Sequence, residues 1–512
     1  MSKPLPSAGA GAPVDPGSAS EAPTVGLGRH YARYSGATVM IMLAGLVSFP
    51  ALTRLLDNEQ YGILGYFDTW AMMAVAVIKF GAQHAILRLY PFGGDQRALT
   101  RFSTNLVYLP MIVSMVIWGV AILGFGTVSW LSNTRFPAVL WCAIVTIPLL
   151  AFSSQVEMTL RVSERSGLLT ATRVAARWLE LGLVLAVVVA IQRSALAVYA
   201  GKILALLVVV GFYARWAHRN LRFAREEIDP AVYRAALRYS LPLVAMEIAA
   251  AALVSIDRIM LKHMLGDYTA VGIYTIGYAL AIQLSMVVNT PFWDAFNPVV
   301  NRTYTLEGDA RVRELKARLL VPIGYACIGV AIGTWTSGSD VLQMLSGTGK
   351  AASGPVFAWV GTMYTLTLLL DLAGYGLPLR KRTGVMMVLM MMALAVNVVL
   401  NLFWIPVYGY MGAVYATVLS YVALGVARCA VCPKGLLQLP DARTVLVAGG
   451  CAGLFLLAVH FAGVSHGHSP WLRASHAGGL WLLCYVLPVL IADGRMREVL
   501  MRLFMKFRMA AG

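Results

Sequence analysis

The sequence has few charged residues, and this deficit excludes an ordinary soluble protein. Only 13% of its 512 residues are charged, whereas 59% are hydrophobic, and the mean hydropathy is +0.71. These values lie outside the usual range of soluble globular domains. Hydrophobic runs of about 20 residues, the length that a helix needs to cross a bilayer, recur along the whole chain. We therefore expect an all-α polytopic membrane protein.

The chain also lacks a disulfide or metal pattern among its six cysteines. Four of them lie inside apolar runs, where a small buried side chain is the usual role. Cys429 and Cys432 form a single C-x-x-C, but a structural zinc site needs a second pair of ligands. We expect no metal site and no cofactor.

A signal peptide is a third absence, because the N-terminal segment has neither a basic start nor an apolar core. It is rich in Gly, Pro, Ser and Ala, which is typical of a disordered tail. We predict the following divisions: a disordered cytoplasmic tail at 1–33, a six-helix lobe at 34–225, a second six-helix lobe at 226–435, an additional helix pair at 436–495 and a basic cytoplasmic tail at 496–512.

The hydropathy pattern predicts about fourteen transmembrane helices. They lie near 34–56, 61–86, 103–130, 137–160, 167–190, 195–214, 239–261, 270–295, 318–336, 355–378, 384–404, 409–430, 442–463 and 474–492. An even number places both termini on one side, and the clusters of Lys and Arg then fall on that side. The positive-inside rule identifies it as the cytoplasm. The net charge of +17 therefore indicates contact with anionic lipid headgroups and argues against nucleic-acid binding.

Two polar hairpins resemble each other across the chain. "TRLLDNEQYGILGYFDTW" at 53–70 and "DRIMLKHMLGDYTAVGIYTIGY" at 257–278 each place an Arg near the end of one span and Gly with Tyr at the start of the next. Six spans separate the two copies, so the halves would be parallel repeats with a site between them. The alternative is that unrelated membrane hairpins share Gly, Tyr and a terminal Arg.

These hairpins, with "GAQHAILRLYP" and "PFWDAFNPVVNRTY", resemble the polysaccharide flippases of the multidrug/oligosaccharidyl-lipid/polysaccharide exporter superfamily, in particular the O-antigen and exopolysaccharide (Wzx-type) branch. The resemblance covers about residues 30–430. It implies two pseudo-symmetric six-helix bundles, alternating access, and movement of undecaprenyl-diphosphate-linked oligosaccharide to the periplasmic leaflet of the bacterial inner membrane. The partners that it implies are this glycan, membrane lipids and other polysaccharide assembly proteins, with the protein acting as a monomer.

Charged side chains within spans indicate a site, because each costs about 2.5–3.5 kcal/mol at a helix centre on insertion scales. A diphosphate carrier needs cations around a wet cavity. Lys79 and Arg177 lie deepest, and Arg173, Arg177 and Glu180 share one helical face. We predict a cationic cavity whose candidate residues are Lys79, Arg177, Arg54, Arg88, Arg173, Arg258 and Arg302.

Simpler roles remain open for several of these cations. Arg54, Arg88 and Arg302 lie near span ends, from which a long side chain reaches the interface. Glu157 at the end of the fourth span could form an ion pair with the basic residues of the fifth.

Acids and aromatic rings complete the predicted site. Buried carboxylates can couple transport to H⁺ or Na⁺, although salt bridges explain them equally well. The candidate coupling acids are Asp68, Glu247, Asp294 and Asp371. Aromatic rings can stack on sugar faces, although most rings in membrane proteins are core or interfacial anchors. The candidate sugar contacts on the hairpin helices are Trp70, Tyr274, Tyr278 and Trp293.

Two other functions fit the hydrophobicity. A cation-coupled small-molecule antiporter of the same superfamily would need an acidic cavity. A polysaccharide polymerase or ligase would be expected to have catalytic residues in a large external loop. The longest predicted external loop, "SGSDVLQMLSGTGKAASG", contains one acid and no phosphate-binding loop. We therefore favour a transporter over an enzyme.

Overall fold

The structure is a computed structural model that describes residues 24–133, 136–462, 469–498, 501 and 505. All regular secondary structure in these ranges is helical. The first seven helices are α1 (Thr24–Leu55), α2 (Asn58–Ile78), α3 (Ala82–Leu89), α4 (Gln96–Leu131), α5 (Ala138–Val162), α6 (Ser166–Ala190) and α7 (Ala195–Asn220). They are followed by α8 (Pro230–Leu265), α9 (Tyr268–Ser346), α10 (Gly354–Ala373), α11 (Thr383–Tyr408), α12 (Tyr410–Val431), α13 (Ala442–Phe461) and α14 (Pro470–Ala492).

The two predicted tails fall largely outside the described residues. This applies to 1–23 of the N-terminal tail and to nearly all of 499–512 at the C-terminus. Residues 24–33, which the sequence assigned to the N-terminal tail, belong to α1.

Twelve helices of the described chain are long and apolar enough to cross a membrane. Helix α9 has 79 residues and is interrupted at Gly308, whose φ of 77° lies outside the right-handed α-helical range. It therefore supplies two membrane crossings. Helix α6 has a spanning length of 25 residues but is less apolar because Arg173, Arg177 and Glu180 lie in its middle. Counting both crossings of α9 and adding α6 gives the predicted fourteen spans.

We call two groups of helices the N-terminal and C-terminal lobes, after the division predicted from the sequence, and a terminal pair follows the second group. Helices α1 to α7 form the N-terminal lobe, in which α2 and α3 make one crossing. Helices α8 to α12 form the C-terminal lobe. Helices α13 and α14 pack on the second half of α9, where Tyr485 Oη donates to Tyr325 O (2.6 Å) and Trp481 Nε1 donates to Gly329 O (2.8 Å).

The second membrane crossing consists of two helices, α2 and α3, with a break between them. The sequence predicted one continuous helix at 61–86. Helix α2 ends at Ile78, and Phe80 and Gly81 have φ values of 47° and 69°. A Cβ on Gly81 would lie 2.6 Å from Ser240 Cβ on α8, so both the backbone conformation and the close approach require glycine. The break turns α3 away from the axis of α2, against α8.

The two ends of the molecule differ in chemistry. The hairpin end contains the α1–α2 and α8–α9 turns, where Asp57 and Asp267 cap the N-termini of α2 and α9. Asp57 Oδ1 accepts from Gln60 N (2.7 Å) and Asp267 Oδ1 accepts from Thr269 N (2.7 Å). These matching caps add to the similarity of the two hairpins. The opposite end, called the basic end, carries Arg88, Arg101, Arg302, Arg311 and Arg380.

Candidate functional site

A cavity of about 730 Å³ lies between the two lobes. Helices α2, α5, α6 and α7 of the N-terminal lobe form most of its wall, and α8 of the C-terminal lobe closes it. The contribution of α2 follows the helical period, since Asp68, Met72, Val75 and Lys79 fall on one face. The charged residues of the lining are Asp68, Lys79, Glu180, Lys202 and Glu247.

Lys79 connects the two lobes at the wall of this cavity. Its Nζ lies 2.7 Å from Glu247 Oε1, and the Lys79 side chain is 11% exposed. Gln83 Nε2 donates to Glu247 Oε2 (2.5 Å), and His84 Nε2 lies 3.5 Å from the same oxygen. Because Glu247 belongs to α8, this cluster joins the break after α2 to the C-terminal lobe.

A second ion pair lies across the cavity within the N-terminal lobe. Lys202 Nζ is 2.9 Å from Asp68 Oδ1 and 2.8 Å from Asp68 Oδ2. Tyr199 Oη also donates to Asp68 Oδ1 (2.8 Å), so α7 binds this carboxylate through two side chains. Lys202 remains 22% exposed and can reach a ligand in the cavity.

A third pair lies at the edge of the cavity on α6. Arg177 Nη1 donates to Glu180 Oε2 at 3.0 Å, and Glu180 lines the cavity. Each basic group named at this cavity therefore has a carboxylate partner. The prediction of a cationic cavity requires correction, because three carboxylates and only two ammonium groups line it, and both ammonium groups are paired with carboxylates.

The lobes are joined at the hairpin end by three hydrogen bonds from two cations, one in each lobe. Arg54 donates through Nε to Leu345 O (2.8 Å) and through Nη2 to Met344 O (2.7 Å), at the C-terminus of α9. Lys350 Nζ donates in the opposite direction to Leu56 O (2.8 Å), just after α1. Each cation satisfies carbonyl groups that a helix end leaves without intrahelical partners. Arg54 thus contacts the C-terminal lobe and does not line the cavity.

Three other predicted contacts are buried in the C-terminal lobe. Tyr274 and Tyr278 are completely buried, so neither ring can stack on a sugar in this arrangement. Arg258 lies over both rings, 5.7 and 4.9 Å from their centroids, and its Nε donates to Thr275 Oγ1 (3.2 Å). These three side chains support the packing of α8 on α9.

A buried carboxylate adjoins these rings. Asp257 has no exposed surface, and its Oδ2 accepts from Tyr274 Oη (2.6 Å) and Thr417 Oγ1 (2.7 Å). Its Oδ1 accepts from Asn401 Nδ2 (2.6 Å). Within the described residues, Asn401 Oδ1 and Asn397 Nδ2 are buried without a hydrogen-bond partner. Such a cluster is unusual, since buried polar atoms are normally paired.

The remaining predicted residues do not line the central cavity. Trp70 is exposed on the face of α2 opposite Asp68 and Lys79, because two residues rotate a helix by about 200°. Arg173 forms an ion pair with Glu157 (Nη2 to Oε2, 2.6 Å), which was the simpler alternative for this residue. The others lie towards the basic end: Arg88 stacks on Tyr239 at 4.3 Å, and Arg302 and Asp294 are exposed on α9.

Two predicted residues instead line a smaller pocket in the C-terminal lobe. This pocket has a volume of about 350 Å³ and contains Trp293 and Asp371. Arg428 Nη1 donates to Asp371 Oδ1 at 2.5 Å.

Lys202 and the Asp257 cluster were missed from the sequence. Lys202 lies inside a predicted span, so the rule that selected Lys79 could have selected it as well. Asn397 and Asn401 are one helical turn apart within an otherwise apolar helix, which is a weak signal of a shared polar face.

Sequence comparison then relates this architecture to known proteins. Residues 27–303, more than half of the chain, match the sequence model of a family described as "Polysaccharide biosynthesis protein". The chain belongs to this polysaccharide biosynthesis protein family. The family assignment confirms the resemblance stated from the hairpins. No curated protein sequence matches the chain.

Solved structures share the fold of this polysaccharide biosynthesis protein. Lipid II flippase MurJ in an inward closed conformation has a TM-score of 0.71 at 11% identity, over 91% of this chain and 99% of that chain. An inward-facing multidrug resistance MATE transporter of the MOP superfamily has a TM-score of 0.52 at 14% identity, over 77% and 96%. The MATE multidrug transporter DinF-BH also reaches 0.52 at 14% identity, over 78% and 94%. The chain thus has the all-helical fold of MOP superfamily transporters.

Proposed function

We propose that this protein is a flippase that moves undecaprenyl-diphosphate-linked oligosaccharide from the cytoplasmic to the periplasmic leaflet by alternating access. The observation that carries the proposal is the family match over residues 27–303, together with a charged cavity between two transporter lobes. The similarity to MurJ covers 91% of this chain, which is more than the share taken up by residues 1–435. The similarities to the two MATE transporters cover 77% and 78% of the chain, which is less than the share taken up by residues 1–435. This difference favours a carrier of lipid-linked cargo.

The lysine side chains of the cavity can exchange their carboxylate partners for a phosphate group of the cargo. A diphosphate that enters the cavity competes with Glu247 for Lys79 and with Asp68 for Lys202. Ammonium groups bind phosphate as compact charges, so the exchange needs only a change of partner. Because Lys79–Glu247 joins the lobes, binding of the headgroup to Lys79 releases α8 from α2 and α3. The released carboxylate then needs a new partner, which a proton or a cation supplies.

Closure at the hairpin end supports one half of the alternating cycle. Arg54 and Lys350 hold the C-terminus of α9 and the end of α1 together at this end. Opening towards the periplasm breaks both contacts. The proposal has the basic end facing the cytoplasm, in accordance with the positive-inside rule, with both termini there and the protein in the bacterial inner membrane.

Coupling to H⁺ or Na⁺ is a further part of the proposal, and the buried Asp257 cluster fits it better than the predicted coupling acids. Asp68, Glu247 and Asp371 each have a basic partner. The Asp257 carboxylate instead accepts hydrogen bonds from hydroxyl and amide groups, with the Arg258 guanidinium nearby. Hydroxyl oxygens, and an amide oxygen once the amide rotates, are hard ligands of the kind that Na⁺ prefers. Asp257, Asn397, Asn401 and Thr417 would hold the ion, which would supply a positive charge to the buried carboxylate.

A cation-coupled small-molecule antiporter is the second candidate, and the acids of the cavity favour it over an enzyme. Asp68, Glu180 and Glu247 could bind a cationic solute if their basic partners moved away. A polymerase or ligase has less support, since the charged side chains converge on a cavity between two transporter lobes.

Deletion of the gene in the host tests the flippase. The proposal expects undecaprenyl-linked glycan to accumulate on the cytoplasmic leaflet and surface polysaccharide to fall. The same strain should keep its resistance to cationic drugs, which separates the flippase from an antiporter. Unchanged glycan export in the deletion strain would contradict the proposed flippase function.

A further inference from the structure

The smaller pocket of the C-terminal lobe has a separate set of walls from the central cavity. It is formed by α9 before the Gly308 interruption, the end of α10, the α10–α11 connection, the start of α11 and α12. None of its lining residues lines the central cavity. Its volume of about 350 Å³ lies at the lower end of the range of roughly 300–1,000 Å³ for small-molecule sites. A site of this size fits a single ring-sized unit of a larger ligand.

Two aromatic rings lie together in the wall of the pocket. Trp293 and Tyr375 have ring centroids 5.5 Å apart at an interplanar angle of 34°. Phe296 holds both rings edge-on from behind, at 5.7 Å from Trp293 and 5.2 Å from Tyr375. The packing fixes the ring planes before a ligand arrives. A pyranose has one face of C–H groups, which can stack on such a surface.

Planar polar groups surround the same wall. Tyr375 Oη donates to Asn297 Oδ1 (2.9 Å), which orients the Asn297 amide so that its nitrogen is available as a donor. Asp371 and Arg428 face each other with side chains 30% and 28% exposed. A carboxylate and a guanidinium each present two adjacent hydrogen-bonding atoms, which match neighbouring hydroxyl groups.

The charge of the pocket selects among parts of the cargo. Asp371 and Arg428 neutralise each other at 2.5 Å, and Asn297 and Tyr375 are uncharged. A diphosphate would have to displace Asp371 from Arg428, whereas an uncharged sugar can bind both without breaking the pair. The pocket therefore favours neutral hydroxylated rings.

We propose that this pocket binds one uncharged pyranose unit of the transported glycan, with Trp293 and Tyr375 as the stacking surface and Asn297, Asp371 and Arg428 as the hydroxyl-binding groups. This inference rests on the proposed function, because it assigns a glycan subsite to the same transporter. Asp371 acts here as a sugar ligand and not as the coupling acid that its position in a span suggested. The pocket would then contribute to selection among glycans, while the central cavity binds the charged headgroup.

Binding of free glycan to the purified full-length protein tests the pocket without requiring transport. The probe is the neutral oligosaccharide released by mild acid from the lipid-linked pool of host cells. Trp293→Leu and Asn297→Ala should each weaken binding about tenfold, which is about 1.4 kcal/mol. Trp293→Phe should retain part of the affinity, since it keeps an aromatic face. Trp335→Leu is the matched control, because Trp335 is an exposed ring outside both cavities.

The outcomes separate this inference from the flippase itself. Wild-type protein that does not bind the oligosaccharide, or folded Trp293→Leu and Asn297→Ala variants that bind it as the wild type does, would overturn the pocket. If these variants also transport lipid-linked glycan normally, the sugar-binding role of the pocket is refuted and the flippase function is retained. If the free glycan binds at Trp293 but the reconstituted wild type moves no lipid-linked glycan, the flippase function is refuted and the sugar-binding pocket is retained.

Discussion

Gly62 of α2 and Gly272 of α9 lie so close together that each faces the other helix's backbone. A Cβ on Gly62 would lie 1.9 Å from Tyr268 O, and a Cβ on Gly272 would lie 1.8 Å from Asn58 O. The two residues open the second helix of each repeated hairpin, so equivalent positions of the two lobes meet at the hairpin end. No larger residue fits this crossing without separating the lobes.

Substitution of either glycine should therefore open the hairpin end. Gly62→Ala and Gly272→Ala should each lengthen the distance between spin labels at Gln192→Cys and Thr348→Cys, which lie on different lobes at this end. The measurement is pulsed electron paramagnetic resonance in a variant without native cysteines. Gly119→Ala is the control, since a Cβ there meets no atom within 4 Å. Distances that match the wild type in all three variants would show that the crossing does not control closure.

The reciprocal bonds of Arg54 and Lys350 should contribute separately to the same closure. Arg54→Gln and Lys350→Gln each remove a cation from helix-terminal carbonyls, a contribution of about 0.3–1 kcal/mol at an exposed site and up to about 2 kcal/mol when partly buried. The same label pair should report a larger open population for each variant and a larger one still for the double variant. Arg193→Gln removes an exposed cation at the same end and should leave the distance unchanged.

Lys79 should be required for transport beyond its role in joining the lobes. Lys79→Gln should reduce transport of lipid-linked glycan in proteoliposomes by at least about tenfold, because a lost charge-assisted contact is worth about 1.5–3 kcal/mol. Lys79→Gln/Glu247→Gln should recover the thermal stability of the wild type, since no unpaired charge remains, but not its transport. Recovery of transport in the double variant would mean that the pair is only structural. Arg302→Gln serves as the control outside the cavity.

Asp257 should determine any response to Na⁺. The melting temperature of the purified wild type should be higher in NaCl than in KCl at equal ionic strength, because an ion that binds only the folded state stabilises it. Asp257→Asn should remove this difference, whereas Asp371→Asn should keep it. If the wild type melts at the same temperature in both salts over a range of pH, Asp257 binds no Na⁺ and a proton is the remaining coupling ion. An identical Na⁺ response in Asp257→Asn would contradict the assignment.

The spans and the hairpins could be predicted because both depend on local sequence. Runs of apolar residues locate the fourteen spans, although they do not separate α2 from α3 or show the full length of α8 and α9, and the polar turns with Gly62 and Gly272 mark the repeat. The break at Phe80 and Gly81 was not predicted, since it depends on the approach of Ser240 from a distant helix. Sequence patterns locate the elements but not the partners that they meet in the fold.

The site was predicted only in part for the same reason. Asp68, Lys79 and Glu247 reach the cavity, as charges within spans were expected to do. Salt bridges were an open alternative for these acids, but the sequence did not show which cation pairs with which acid, because Lys79 meets Glu247 across 168 positions of sequence. Trp70 and Tyr274 show that lying on the correct helix does not determine which way a ring points or whether it is buried.

Translocation by the purified protein tests the central claim most directly. Full-length protein is reconstituted in liposomes that contain undecaprenyl-diphosphate-linked oligosaccharide, and the glycan that reaches the opposite leaflet is detected with a membrane-impermeant lectin. Wild-type vesicles should expose glycan much faster than protein-free vesicles, and Lys79→Gln vesicles should resemble protein-free ones. Equal rates for wild-type and protein-free vesicles would contradict the account.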